Sequence, residues 1–240
     1  MGIKPDVKNI RTQLLYEMKA GIFSECSRLP RETELSEQLG ISRTQLRDTL
    51  ADLEREGFIT RRHGVGTVIN RHVLQVKNRM DIETEFLNII RQSGYEPGVF
   101  FICQQEEKAD KYIAEKLEIP EGTPVVRISR LCTADGKPAI YCEDVLDKRF
   151  ITGEYTMQDL EAPIFHFLQK FCGISAYMDL TELHAVIADE RLAEILDVPV
   201  GTPLLNMEET DFDIEGKRIF YSSEYFVDGL IQQTVLRKKL

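Results

Sequence analysis

The sequence predicts an α+β protein in two parts: a small helical domain closed by a hairpin, then an antiparallel sheet with helices. Three observations predict it. Apolar residues recur at helical spacing over residues 10–57 and then switch to period two. Beyond residue 80 a short segment occurs twice, so the second part is built from a repeated unit. Charge divides at the same place: residues 1–80 hold 14 Lys+Arg against 10 Asp+Glu, and the rest hold 16 against 30.

A chain of 240 residues with 42% apolar content can bury more than one core. The net charge of −10 excludes nucleic-acid binding over the whole surface, but the first 80 residues carry a local balance of +4. Two segments with different partners are expected. No apolar run approaches the ~20 residues that span a bilayer, and "MGIKPDVKNIRTQL" lacks the apolar stretch of a secretion signal. A cytoplasmic protein with no membrane partner is expected. Cys26, Cys103, Cys132, Cys142 and Cys172 are odd in number, scattered and without Cys-x-x-Cys, so they read as free thiols, not as a disulfide framework or zinc site.

Ile10, Leu14, Met18 and Ile22 give a first amphipathic helix ending near Gly21, and Leu35 and Leu39 give a short second helix that stops at Gly40. Ser42-Arg43-Thr44-Gln45 then forms a Ser-x-x-Gln capping box, ahead of Leu46, Leu50 and Leu53 on one helical face. Helix, tight turn and capped helix make a helix-turn-helix unit, whose second helix points its N-terminal side chains into the major groove. Arg43, Thr44 and Arg47 lie off the leucine stripe, free to meet phosphates and base edges. Asp48, Asp52, Glu54 and Glu56 follow later, away from the duplex.

After Gly57 the pattern "FITRR", "HGVG", "TVI" reads as a β-hairpin with a glycine-rich tip. As a wing, it brings His63, Gly64 and Gly66 to the sugar-phosphate backbone, where a missing side chain lets backbone N–H groups approach phosphate. The plainer alternative is a surface hairpin with solvated Arg61 and Arg62.

Residues 5–70, including "LPRETELSEQLGISRTQLRDTLADLEREGFITRRHGVGTVI", resemble the winged-helix domain of GntR-type bacterial transcriptional regulators. The resemblance implies DNA reading by Ser42, Arg43 and Thr44, by Arg47, and by His63 and Gly64 in the wing. It departs at one place. Where the family has Pro-Ser-Glu-Arg, this chain has Pro30-Arg31-Glu32-Thr33, so a DNA-contacting Arg is Thr33 here. Whether Arg31 takes over that contact stays open.

Residues 71–80 are polar and basic without a period and read as a linker, dividing a domain of residues 1–70 from one of residues 81–240. "KYIAEKLEIPEGTPV" at 111–125 matches "ERLAEILDVPVGTPL" at 190–204 with seven identities in 15 positions. Each copy reads as a short helix, a Pro-Gly turn, a strand, a turn ("ADGKP", "IEGKR") and a returning strand. A helix, "APIFHFLQKFCG", lies between the copies. Two such units pair into one antiparallel sheet with helices on a face, and the crevice between them suits a small molecule.

On the returning strands Cys142/Ser222 and Asp144/Glu224 occupy equivalent places at offset 80, opposite Tyr141/Tyr221. Residues 81–240 resemble the UTRA ligand-sensing domain, of chorismate-lyase-like fold, found in the HutC subfamily of the same regulators. Its markers here are the doubled Pro-x-Gly-Thr-Pro and the strand ending in Arg130-Leu131. The resemblance implies a metabolite that changes operator affinity. Members that sense phosphosugars use two Arg, a Ser, a Tyr and a Glu, and of these only Arg130 survives. The other positions are Cys132, Pro163, Phe165 and Cys142, which cannot donate strongly to phosphate.

The expected effector is therefore a non-phosphorylated sugar, nucleoside or amine, held by Arg130, Cys142, Asp144, Ser222 and Glu224. The alternative is that these carboxylates are solvated on a strand face. His63, His72, His166 and His184 show no metal-ligand spacing, and no nucleophile-base motif appears, so neither catalysis, metal nor cofactor is expected. The expected function is a homodimeric regulator, a repressor, of double-stranded operator DNA. The alternatives are a ligand-independent DNA-binding protein and an enzyme on a lyase-like fold.

Overall fold

A computed structural model describes residues 7–238, which divide into two compact units, one of residues 7–83 with 233–238 and the other of residues 84–232. In the first unit α1 (Val7–Lys19), α2 (Glu32–Leu39) and α3 (Arg43–Arg55) precede a hairpin of β1 (Ile59–Arg62) and β2 (Gly66–Ile69). The leucine stripe makes the core: Leu14, Met18, Leu35, Leu46, Leu50 and Leu53 are all buried. Each such side chain contributes roughly 1.5–3 kcal/mol relative to exposure. Ser42 caps α3 as its sequence predicts, its Oγ accepting from Gln45 N while Gln45 Oε1 accepts from Ser42 N.

Three expectations need correction in this unit. Ile22 is 69% exposed, because α1 ends at Lys19 and the turn that follows carries Phe23 into the core instead. Residues 71–80 are not a free linker. They include a single turn, α4 (Arg71–Leu74), whose Val73 and Leu74 join the core, and Asn78 and Arg79 are buried. The segment is too short for a helical period to show.

The last described residues, expected with the sheet, pack here as well. Met80 N donates to Thr234 O at 2.8 Å, and Leu236 N to Asp81 at 3.3 Å. Leu236 also lies on the core beside Gly57, where an added Cβ would meet its Cδ2 at 2.5 Å. With φ at +83°, Gly57 is fixed both by backbone conformation and by close approach.

The second unit holds α5 (Phe86–Ser93), β3 (Pro97–Lys108), α6 (Lys111–Leu117), β4 (Pro124–Ala134), β5 (Lys137–Asp147), α7 (Ile164–Phe167), β6 (Met178–Ile187), α8 (Glu190–Leu196), β7 (Pro203–Phe212) and β8 (Arg218–Val227). The strands form one antiparallel sheet in the order β3-β4-β5-β8-β7-β6. The repeat thus has four members per copy, strand-helix-strand-strand. The two copies meet at β5 and β8, where Cys142 faces Glu224 and Asp144 faces Ser222. Residues equivalent in the repeat are diagonal neighbours across this seam, as a local two-fold axis requires.

Asp110 and Asp189 cap the two repeat helices identically, each accepting a backbone N–H three residues on at 2.8 Å. Helices cover both faces, not one. Ile113 and Leu117 of α6 pack with Val145 and Tyr221, and Leu192 and Leu196 of α8 with Tyr141 and Leu204. The opposite face meets α7 and the π-helical turn Leu168–Cys172, through Ile164, Phe167 and Leu168 against Val126, Leu146 and Phe220.

Candidate functional site

Two surfaces carry the expected residues, one in each unit. In the first, Arg31, Thr33, Ser42, Arg43, Thr44 and Arg47 are exposed around the start of α3, while Leu46, Leu50 and Leu53 on its opposite side are at most 1% exposed. Burial of one face therefore orients the other. Ser42 has a structural duty besides any contact: its hydroxyl also donates to Gln45 Oε1 at 2.9 Å. Arg47 is held by Glu32, Nε to Oε2 at 2.8 Å, which raises its pKa through the hydrogen bond and the opposite charge. Thr33 occupies the first turn of α2, and Arg31 precedes that helix in extended conformation.

The wing presents His63, Gly64 and Gly66, all exposed. Gly64 and Gly66 have φ of +75° and +93° with nothing within 4 Å of an added Cβ, so the turn conformation demands them and solvent stands beside them. Sequence reasoning missed what steadies this wing. Arg28 forms an isolated antiparallel bridge to Val68, and its guanidinium donates to Val65 O at 3.2 Å. Arg61 is bound to Glu54 at 2.7 Å and so belongs to the scaffold.

Also missed was the support at the far end of α3. Its last carbonyls accept from two cations: Lys238 Nζ reaches Glu54 O and Arg55 O at 2.6 Å each, and Arg79 Nη1 reaches Glu56 O at 2.5 Å. Cations at a helix C-terminus offset its orphan carbonyls and its dipole.

In the second unit the expected effector residues do come together, and they are buried. Arg130 is 5% exposed, Asp144 2%, Ser222 1% and Glu224 3%, so the solvated-face alternative does not hold. Arg130 Nη2 donates to Asp144 Oδ2 at 2.6 Å and its Nη1 to Ala162 O at 2.6 Å. Ser222 Oγ lies 3.0 Å from Asp144 Oδ1 and 3.1 Å from Glu224 Oε1. The chain of contacts runs Arg130–Asp144–Ser222–Glu224 across β4, β5 and β8.

Cys142 has a different place. Its thiol donates weakly to Arg130 O at 3.5 Å and lies beside Cys132, whose hydrogen bond and the burial raise the Cys142 pKa well above its ordinary value. It is a packed thiol in the wall of the site.

Burial also raises the Glu224 carboxyl well above its ordinary range, aided by Glu209, Asp144 and Asp211. Arg130 stays charged: burial opposes the charge, and Asp144 restores it. Arg130 Nε and Glu224 Oε2 are buried polar atoms that make no hydrogen bond. Aromatic pairs stand at the two ends of this polar stretch of β8. Phe86 of α5 meets Phe226 and Phe165 of α7 meets Phe220, each with ring centroids 5.9 Å apart.

Elsewhere in this unit, Glu182, His184 and Glu208 lie within metal-ligand reach of one another, a grouping the sequence does not reveal because β6 and β7 supply it. Lys116 already occupies it, 2.6 Å from Glu182 and 2.9 Å from Glu208. Among the described residues no helix is long and apolar enough to cross a membrane.

Comparison with known proteins agrees with this layout. Residues 92–228 match the UTRA domain, and residues 7–69 match the bacterial regulatory proteins of the gntR family. Among curated relatives, the HTH-type transcriptional regulator YurK of Bacillus subtilis is 26% identical, covering 86% of this chain and 84% of its own. The HTH-type transcriptional repressor NagR of the same organism is 26% identical over 87% of this chain and 84% of its own. The crystal structure of YydK, also from Bacillus subtilis, shares the fold with a TM-score of 0.77 at 21% identity, covering 96% of this chain and 99% of that one.

Proposed function

The chain belongs to the UTRA domain family and carries the gntR-type DNA-binding domain in front of it, the HutC-type arrangement, and from that premise we propose how this transcriptional regulator works. Its relatives are regulators and repressors, not enzymes. We propose a cytoplasmic homodimer that reads a pseudo-palindromic operator, with Arg43, Thr44 and Arg47 entering the major groove. Ser42, Arg31 and Thr33 then flank the backbone, and His63, Gly64 and Gly66 follow the phosphates. A two-fold dimer doubles the few base pairs that one recognition helix contacts.

The effector is a non-phosphorylated molecule held by Arg130, Asp144, Ser222 and Glu224, with Cys142 in the wall. It acts by binding one protein state better than another, because only a differential affinity can shift operator binding. The domain division is proposed as a DNA-binding part reaching to Glu83 and including the C-terminal residues, and an effector-binding part of residues 84–232.

The single observation that carries this reading is the capped helix α3, with its leucines buried and its first turns open to solvent beside the glycine-tipped wing. Duplexes recovered from a random library by selection on the intact protein test it. Arg43→Ala should weaken binding to the recovered duplex by about 1–3 kcal/mol and relax specificity at the bases it reads. Binding equal to that of the wild type removes α3 as the reading helix.

A further inference from the structure

The face of the sheet that carries Arg130 and Glu224 is strongly acidic. Cross-strand register places Ser222 between Asp144 and Glu209, and Glu224 between Cys142 and Met207, all pointing to one side. Asp211 and Asp179 lie on the same side one row further along. Five carboxylates from β5, β6, β7 and β8 thus share this side. Among the described residues, Arg130 is the cation that β4 to β6 contribute to it.

Arg130 is already engaged by Asp144 and the Ala162 carbonyl. Burial is decisive here: Asp211 is 0% exposed and Glu224 3%, and Glu224 Oε2 makes no hydrogen bond. The elements packed above contribute apolar side chains, Phe86 from α5 and Phe165 from α7.

We infer that the effector is a hydroxylated amine in its cationic form, seated over Ser222 and Glu224 between the two aromatic pairs, with its nitrogen facing Glu224, Glu209 and Asp144. This rests on the proposed effector site and names the class of molecule it takes. An anion would meet Asp144, Glu209, Asp211 and Asp179 on this side, with only the Arg130 Nε–H left to donate to it, whereas a cation supplies the partner that Glu224 Oε2 lacks. A neutral polyol could use Ser222 but would bring no positive charge to this acidic side.

The cation also changes protonation. In the free protein Glu209, Asp144 and Asp211 favour the protonated Glu224 carboxyl, as does its burial. A bound ammonium favours the carboxylate, so the proton leaves for solvent as the N–H···O⁻ contact forms. Binding therefore releases up to one proton per site.

The test uses the full chain and a matched series: glucamine and spermidine as amines, sorbitol as the neutral counterpart of glucamine, sorbitol 6-phosphate as the anion and calcium as the inorganic cation. Thermal shift ranks them at equal concentration. Calorimetry in two sulfonate buffers of different ionisation enthalpy counts protons. We expect glucamine to raise the melting temperature most, above spermidine, which lacks hydroxyls, with net proton release, and Glu224→Gln or Ser222→Ala to remove the shift.

Absence of a shift from either amine overturns the inference, as does a larger shift from sorbitol, its phosphate or calcium. If one of those is preferred and Glu224→Gln abolishes its effect, the site stands and only the amine class falls. If a shift survives both variants, the proposed site itself is wrong.

Discussion

Arg47 shows how one residue can be both exposed and engaged. Its ion pair with Glu32 is on the surface, where such pairs contribute little to stability, so it orients the guanidinium more than it holds the fold. Glu32→Gln should therefore leave the melting temperature almost unchanged while raising DNA affinity, since it removes a negative charge beside the phosphates; an anisotropy titration reads this directly. Glu224 makes the opposite kind of prediction. Its raised folded-state pKa means that its contribution to stability is fully present below the ordinary value of 4.5 and is lost as pH rises through the folded value. Glu224→Gln cannot titrate, so it should match the wild type near pH 4 and be increasingly the more stable of the two toward alkaline pH in urea melts. A constant difference across that range would show that Glu224 is not a buried acid held in its neutral form. Neither behaviour could be read from the sequence: Asp144 and Glu224 were legible as a pair facing one way, but their burial depends on β8 pairing with β5 and β7 with β8, which joins strands distant in the chain.

At the scale of elements, α3 is the best-determined piece, because every local signal agrees: a capping box, a leucine stripe and a stop before Gly57. Ser42 separates capping from contact. Ser42→Ala should cost about 0.5–2 kcal/mol of stability and weaken DNA binding with it. Ser42→Asp should keep the cap, and hence the melting temperature, while its charge repels phosphate. The outer strands were less legible. β3 and β6 lie at the two edges of the sheet, where one side of the strand has no partner and the apolar alternation is not enforced; Leu180 and Leu183 of β6 are 64% and 54% exposed. The segment 233–238 was not legible at all, because its few anchors, Leu236 and Lys238, act on residues such as Gly57 and Glu54 that are distant in sequence. Ending the chain after Gln232 should accordingly speed hydrogen exchange in the last turn of α3 and in β1, and Leu236→Ala should do so to a smaller degree. Unchanged protection in both would deny that tail a supporting role.

For the whole molecule, a central strand of the second unit and helix α3 of the first are linked along the chain itself. β8 carries Ser222 and Glu224, and the same chain continues to Leu236 and Lys238 at the end of α3. The division of labour was visible in the charge split at residue 80 and in the repeat. The return of residues 233–238 to the first unit was not, since composition records no path. The central claim is that a metabolite held by β4, β5 and β8 governs DNA reading by α3. It is tested most directly by titrating a labelled operator duplex with wild type and Glu224→Gln, each with and without a metabolite that shifts the wild type. We predict equal affinities without metabolite and a response in the wild type alone. A Glu224→Gln protein that still responds as the wild type does would contradict the account.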